Sequence, residues 1–424
     1  MKKTLIHNYK IAEEFYQSLN VDINNSLNIL SKIPISIHCW QGDDLKGFEN
    51  KSEDLYSGGI LATGNYYGRA RNINELQSDI EKAFSMIPGK KRLALHAIYG
   101  DFEKKRVDRD KIGPAHFSSW IEWAKKNKVG LDFNPTFFSH PKSESGYTLA
   151  NTNKKIRNFW IEHLKRSREI ANFIGEQLNN CCINNIWIPD GEKDLTANKL
   201  YYRELLVDSL NKGLEKDFPR QNIKDSLESK LFGIGSESFV VGSHEFYLLY
   251  ALKNNKMITF DIGHFHPTEL ISDKISAVLL FISGIVLHIS RGVRWDSDHV
   301  PTFSEELVSI MSEIIRANAL NKVFIGTDFF DASINRIGAW IIGARAVIKA
   351  ILYALLEPTK KLKKYEFENK KFERLALIEA LKTIPFESVW NYYLVLNNMP
   401  SDLGIIQEIR KYEIAVLEKR KDKK

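Results

Sequence analysis

Eight short apolar or β-branched runs, separated by longer stretches of helical period, constrain this sequence more than any other feature. They are ISIHC (35–39), LALHAI (93–98), VGLDF (129–133), INNIWI (183–188), LESKLF (227–232), MITFDI (257–262), IVLHI (285–289) and VFIGTD (323–328). Each has the length and the turn-forming borders of a buried strand. Amphipathic spacing between them predicts helices at 117–126, 155–179, 200–214, 272–280 and 304–320. Strands that alternate with helices pair in parallel, and eight such units predict an α/β fold, a closed (β/α)₈ TIM barrel.

The barrel is expected over 35–357, after an N-terminal helical segment (1–34) with a helix at 10–30. Apolar residues at Ile334, Ile337, Ile341, Ile348 and Leu352 mark a long helix that Pro358 ends. Beyond it TKKLKKYEFENKK reads as a linker, and helices at 372–382, 388–396 and 403–419 make a C-terminal extension (358–424) suited to oligomerisation. The interval 41–76 is long and glycine-rich, so it is expected to be a mobile loop over one barrel mouth. It contains no Gly-x-Gly-x-x-Gly phosphate cradle.

Composition removes several classes. With 43% hydrophobic and 27% charged residues the chain is globular rather than disordered. The net charge of +7 lies partly in the final KRKDKK, which reads as a solvated end rather than a nucleic-acid surface. Three cysteines, Cys39, Cys181 and Cys182, cannot form a disulfide framework, which points to a reducing cytoplasm. Glu13 and Glu14 interrupt the N-terminus before a signal-peptide core develops. The most apolar stretch, 275–289, is broken by Ser276, Ser283, Gly284 and His288 and is too short to span a bilayer, so no membrane association is expected.

Polar residues recur where the strands should end: His38, His96, Asp132, Trp187, Glu228 with Lys230, Asp261, His288 and Asp328. One His or Asp at a strand end is ordinarily a turn-former. Many together mark the catalytic mouth of a barrel, because clustered buried carboxylates cost several kcal/mol unless a cation joins them. Glu228, Asp261, His288 and Asp328 form one hard, oxygen-rich ligand set for Mn²⁺, Mg²⁺ or Co²⁺, with Zn²⁺ an alternative. A second set lies in the following loops: His264 three residues after Asp261, and the Asp296-Ser-Asp298 pair, whose i, i+2 carboxylates point the same way in an extended loop. His266 and His299 read as supports of the site. Two divalent ions are therefore expected.

Lys230, two residues after Glu228, is expected on the same strand, facing the interior beside the carboxylates. The alternative is a structural ion pair. Trp187 and Trp40 offer flat faces for a sugar ring, and Tyr99, Ile98 and Phe330 are placed around an apolar pocket nearby.

The segments SIHCWQGDD, GGILATGNYYGRARN, LHAIYG, GLDFNP, SHP, NIWIPDG, ESKLFGIGSES, DIGHFHPTE, HISRGVRWDSDHV and IGTDFFDASINRI closely resemble the bacterial L-rhamnose isomerases, in order from about residue 33 to 358 and faintly beyond. The resemblance implies a metal-dependent aldose–ketose isomerase of L-rhamnose, typically a cytoplasmic homotetramer using Mn²⁺. It implies a catalytic ion on His264, Asp296 and Asp298, and a structural ion on Glu228, Asp261, His288 and Asp328 that also holds substrate oxygens. Lys230 and His96 match polar residues that contact the sugar, and Trp187 matches the stacking aromatic. Gly292, where many relatives have Pro, and Glu192, where Met is common, depart from the pattern without touching a ligand.

Two other readings fit barrel-mouth His, Asp and Glu. A metal-dependent endonuclease would use the positive charge on phosphates, but the basic residues are not interleaved with aromatics in a loop that could enter a duplex. A non-catalytic sugar or metal binder would need neither Lys230 nor an open ligand position. With every mouth carboxylate from strands five to eight assigned to metal and Lys230 expected to be protonated beside Glu228, His96 is the remaining candidate base, and it suits ring opening at the anomeric oxygen better than proton removal at C2. A 1,2-hydride shift is therefore expected, with Lys230, His96 and Asp298 as catalytic residues.

Overall fold

Strands that neighbour one another in sequence also pair in space, all the way round a closed barrel, in the computed structural model. The structure describes residues 2–49, 62, 64–102, 106–230, 238–266, 268–293 and 298–421. The barrel strands are β1 (Ile35–His38), β2 (Lys91–His96), β3 (Gly130–Asn134), β4 (Cys182–Trp187), β5 (Ile223–Glu228), β6 (Met257–Asp261), β7 (Ile285–Ile289) and β8 (Val323–Thr327). β8 closes on β1 through the parallel pairs Ile35–Ile325 and Ser36–Gly326. Side chains fill the inside and helices cover the outside, which is why β6 and β7 are buried at every position and read as unbroken apolar runs.

The fifth strand lies four residues earlier than the apolar run suggests. Lys224, Asp225 and Ser226 hide it, because a strand carrying three polar residues fails an apolar test. Asp225 is nevertheless buried, and it is satisfied by Arg168 at 3.0 Å and Lys256 at 2.9 Å. Glu228 therefore ends β5, and Lys230 lies beyond the strand rather than on it. Residues 231 and 232 of the expected strand fall outside the described residues. β2 likewise ends at His96, because Ala97–Tyr99 turns as a 3₁₀ helix.

Helices cover the barrel at Ser118–Asn127, Lys154–Leu178, Lys199–Gly213, Ile271–Leu279 and Glu305–Arg316. Local chemistry sets their ends: Asn153 and Ser304 accept from the amides of Lys155 and Leu307, and Lys128 and Asn179 close their helices in the left-handed conformation. Gly175 is a contact point, since a Cβ there would fall 1.8 Å from the Asn222 carbonyl oxygen just before β5.

The helix Arg336–Leu355 is long and apolar enough to cross a membrane, but 83% of that stretch is buried, and it packs as a core helix. Its Arg345 donates to the carbonyls of Met86 and Pro400 and pairs with Asp402 at 2.9 Å. The C-terminal extension is thus bolted to this core helix. The supposed linker is itself a helix, Thr359–Phe367, because TKKLKKYEF contains no breaker after Pro358. Helices Lys371–Leu381, Phe386–Leu396 and Gly404–Ala415 and a 3₁₀ turn at Leu417–Arg420 follow.

At the N-terminus two helices, Lys2–Ser18 and Ile23–Leu30, replace the single one expected at 10–30; Asn20 breaks the run at φ +59° and Asp22 caps the second helix. Tyr9 stacks on Tyr392 with ring centroids 3.9 Å apart, so the two ends of the chain pack together. Of the expected loop 41–76, residues 50–61 and 63 lie outside the described residues, while the helix Ile73–Phe84 occupies its end.

Candidate metal centre and active site

Strand register brings the candidate ligands together. Asp261 and His288 are direct partners across β6 and β7, as are Trp187 and Glu228 across β4 and β5. Asp328 follows β8 by one residue, and its amide donates to the Ile289 carbonyl at 3.0 Å. Glu228, Asp261, His288 and Asp328 thereby offer ligand atoms that all lie within 4.8 Å of one another.

Each carboxylate is steered by one bond to the protein. Asn185 Nδ2 donates to Glu228 Oε2 at 2.5 Å, the Gly263 amide to Asp261 Oδ1 at 2.7 Å, and Trp40 Nε1 to Asp328 Oδ1 at 2.9 Å. These bonds orient the carboxylates towards one another, as expected where outer groups orient metal ligands. His288 Nδ1 is buried there without a hydrogen bond, 3.2 Å from both Glu228 Oε2 and Asp328 Oδ2. An imidazole nitrogen between two carboxylates needs a cation between them or a proton of its own.

Electrostatics gives the same answer. Burial, together with Asp328, Glu228 and Asp298, pushes the Asp261 carboxyl well above the carboxylate range. Burial opposes a charged His288, yet Glu228 and Asp328 raise it well above the usual imidazole value. Both shifts are those of a site short of positive charge. Three carboxylates and one imidazole, with no thiolate, suit a hard divalent ion.

His264 stands beside this cluster. Its Nδ1 lies 2.9 Å from the Ser229 carbonyl, which can only accept, so Nδ1 carries the hydrogen, and its Nε2 lies 3.9 Å from Asp261 Oδ2. Asp298 lies in a loop closed by backbone bonds between Arg291 and His299 (2.8 and 3.2 Å), and its carbonyl accepts from the Phe330 amide at 3.2 Å. Asp296 lies outside the described residues.

Glu228, His264, Asp298, Asp328, Lys230, Trp187, His96 and Phe330 line one pocket at the C-terminal mouth. Lys230 Nζ sits 5.2 Å over the Trp187 ring, and Trp187 Nε1 is buried without a hydrogen-bond partner, a donor left for whatever fills the pocket. His96 hydrogen-bonds Thr136 through Nδ1 at 3.1 Å, and burial pushes its pKa down to about 3, so it is neutral.

Four residues read as mouth or pocket groups are elsewhere. Ile98 is buried outside the pocket lining, its carbonyl accepting from the Phe48 amide at 2.8 Å. Tyr99 is fully buried behind the pocket, where its hydroxyl donates to Asp43 Oδ1 at 2.6 Å. Asp132 sits one inward position below the end of β3 and pairs with Arg92 at 2.6 Å, beside a cavity of about 420 Å³ at the opposite end of the barrel. His38 is enclosed between Thr327 and Phe329. Conversely, Asn134, Asn185, Phe138 and Leu45 line the pocket without having been singled out. Asn185 was detectable, since it precedes Trp187 by two residues and so shares its face of β4.

A family model described as L-rhamnose isomerase (RhaA) matches residues 3–420 of the chain. The chain belongs to the L-rhamnose isomerase family. It is 53% identical over 414 residues to an L-rhamnose isomerase of Rhodopirellula baltica, covering 98% of this chain and 96% of that one. Identity to the L-rhamnose isomerases of Listeria monocytogenes and Bacteroides thetaiotaomicron is 50% and 51% over 412 residues, covering 97% of this chain and 98% of each relative.

Proposed function

We propose that this protein interconverts L-rhamnose and L-rhamnulose by a metal-assisted 1,2-hydride shift, as a cytoplasmic homotetramer that uses Mn²⁺. The observation that carries the reading is the convergence of three carboxylates and an orphaned imidazole on one point beside a pocket lined by Lys230, Trp187 and His96. Glu228, Asp261, His288 and Asp328 would hold one divalent ion, and His264, Asp298 and Asp296 a second. When bound, the ions supply Lewis-acid polarisation of the oxygens on C1 and C2 of the open-chain sugar.

The rest falls to the chain's own groups. Trp187 Nε1 and the Lys230 ammonium donate to sugar oxygens, and the Trp187 and Phe330 rings cover the apolar face of the sugar. In the aldose-to-ketose direction the C2 hydrogen moves to C1 with its bonding pair, the C2 hydroxyl gives up one proton and the former aldehyde oxygen takes one up, so no outside oxidant is needed. Neutral His96 is too weakly basic to hold a proton from C2. It suits a brief proton transfer during ring opening.

The test is turnover of L-rhamnose by purified protein, read as ketose formed. Absence of L-rhamnulose from Mn²⁺-supplemented protein would overturn the proposal, and salt-sensitive DNA binding in its place would favour the nuclease reading.

A further inference from the structure

The C-terminal turn reaches back to the catalytic mouth. Glu413, buried in Gly404–Ala415, accepts hydrogen bonds from the hydroxyls of both Tyr66 and Tyr67. Arg420 pairs with Asp79 at 2.6 Å and donates to the Gly68 carbonyl at 3.3 Å. Gly68 has φ +85°, and a Cβ there would lie 2.6 Å from that of Leu417, so the two segments touch backbone against side chain.

From residues 66–67 the contacts continue to the pocket wall. Arg336 donates to the carbonyls of Tyr66 and Tyr67 at 2.7 and 3.2 Å and grips Asp44 with two bonds at 2.7 and 2.8 Å. Asp44 and Leu45 adopt consecutive left-handed conformations, φ +64° and +58°, which side-chain-bearing residues avoid unless held. That backbone turns Leu45 into the pocket next to Trp40, the donor to Asp328.

We propose that Glu413 and Arg420 are positioning residues of the active site, holding Leu45 and its loop against the pocket through Tyr66, Tyr67, Arg336 and Asp44. The kinetic consequence rests on the isomerase reading above; the structural consequence does not. The exposed side of the tyrosine pair lets water replace the lost acceptor, so Glu413→Ala is expected to fold, while Glu413→Gln keeps an oxygen for both hydroxyls.

The experiment compares wild type, Glu413→Ala, Glu413→Gln and Arg420→Ala by hydrogen exchange and by kinetics on L-rhamnose. In the two alanine variants the amides of Leu45, Gly47 and Phe48, which are hydrogen-bonded in the native fold, should exchange about tenfold faster. KM should rise about tenfold with a smaller change in kcat, and Glu413→Gln should behave as wild type. Unchanged exchange over residues 43–48 in Glu413→Ala would overturn the proposal whatever the substrate. So would faster exchange spread evenly over the whole chain, or unchanged KM in an active enzyme. A wild type that does not turn over L-rhamnose, but whose alanine variants loosen 43–48, would overturn the isomerase reading and leave the positioning intact.

Discussion

His288 Nδ1 lies 3.2 Å from Asp328 Oδ2 and makes no hydrogen bond to it. The same nitrogen is equally close to Glu228 Oε2. Two negative groups converge on one buried imidazole nitrogen, an arrangement that costs several kcal/mol unless positive charge is supplied.

Removing divalent ions with a chelator should therefore abolish isomerase activity and lower the melting temperature, and Mn²⁺ or Co²⁺ should restore both, because the ligand set is oxygen-rich. Activity and melting are measured on the same metal-free sample. Full activity in protein verified as metal-free would refute the metal-dependent reading.

Two buried carboxylates on β5 should separate function from stability. Glu228→Gln, at the upper end, is expected to lower kcat/KM by at least ~100-fold, the upper range for disturbing groups that support a metal site. Asp225→Ala, three residues below, strands Arg168 and Lys256 and should cost ~3–5 kcal/mol of stability with near-normal kcat in the molecules that remain folded. Chemical denaturation and active-site-normalised kinetics decide it, and similar losses of both kinds in both variants would sink the distinction.

His163 predicts a pH effect away from the metal. It is fully buried, accepts from the Thr136 amide at 3.0 Å and contacts the Arg109 carbonyl, and burial lowers its pKa to about 3. A depressed imidazole pKa means that the unfolded chain takes up a proton first as pH falls below about 6.5, so stability is lost towards acid. Wild type should lose up to ~1.4 kcal/mol more per pH unit than His163→Gln between pH 6 and about 4. Parallel stability curves for the two proteins would contradict this.

Running the isomerisation in D₂O tests how hydrogen moves. Retention of the original hydrogen at C1 of L-rhamnulose is expected, since among the described residues Glu228, Asp261 and Asp328 converge on the metal cluster and the pocket imidazole of His96 is neutral and weakly basic. Substantial deuterium at C1 would show a solvent-exchanging base and overturn the hydride shift.

The barrel was legible because its determinants are local. Runs such as MITFDI and IVLHI carry strand length and burial in their own composition, and most covering helices showed their period. Glu228, Asp261, His288 and Asp328 were legible for the same reason: each lies at or within one residue of a strand end, and a barrel brings all such ends to one mouth. What stayed hidden depended on partners distant in sequence. The start of β5 was masked because Asp225 is polar, and only Arg168 and Lys256 make its burial tolerable. Tyr99 and Asp132 have residue types suited to a pocket, but Asp43 and Arg92 hold them elsewhere. The same holds for the C-terminal extension, whose sequence shows helices and charge. That Glu413 and Arg420 reach Tyr66, Tyr67 and Gly68 was decided by tertiary packing, because a hydrogen bond across ~350 residues leaves no periodic trace in either segment.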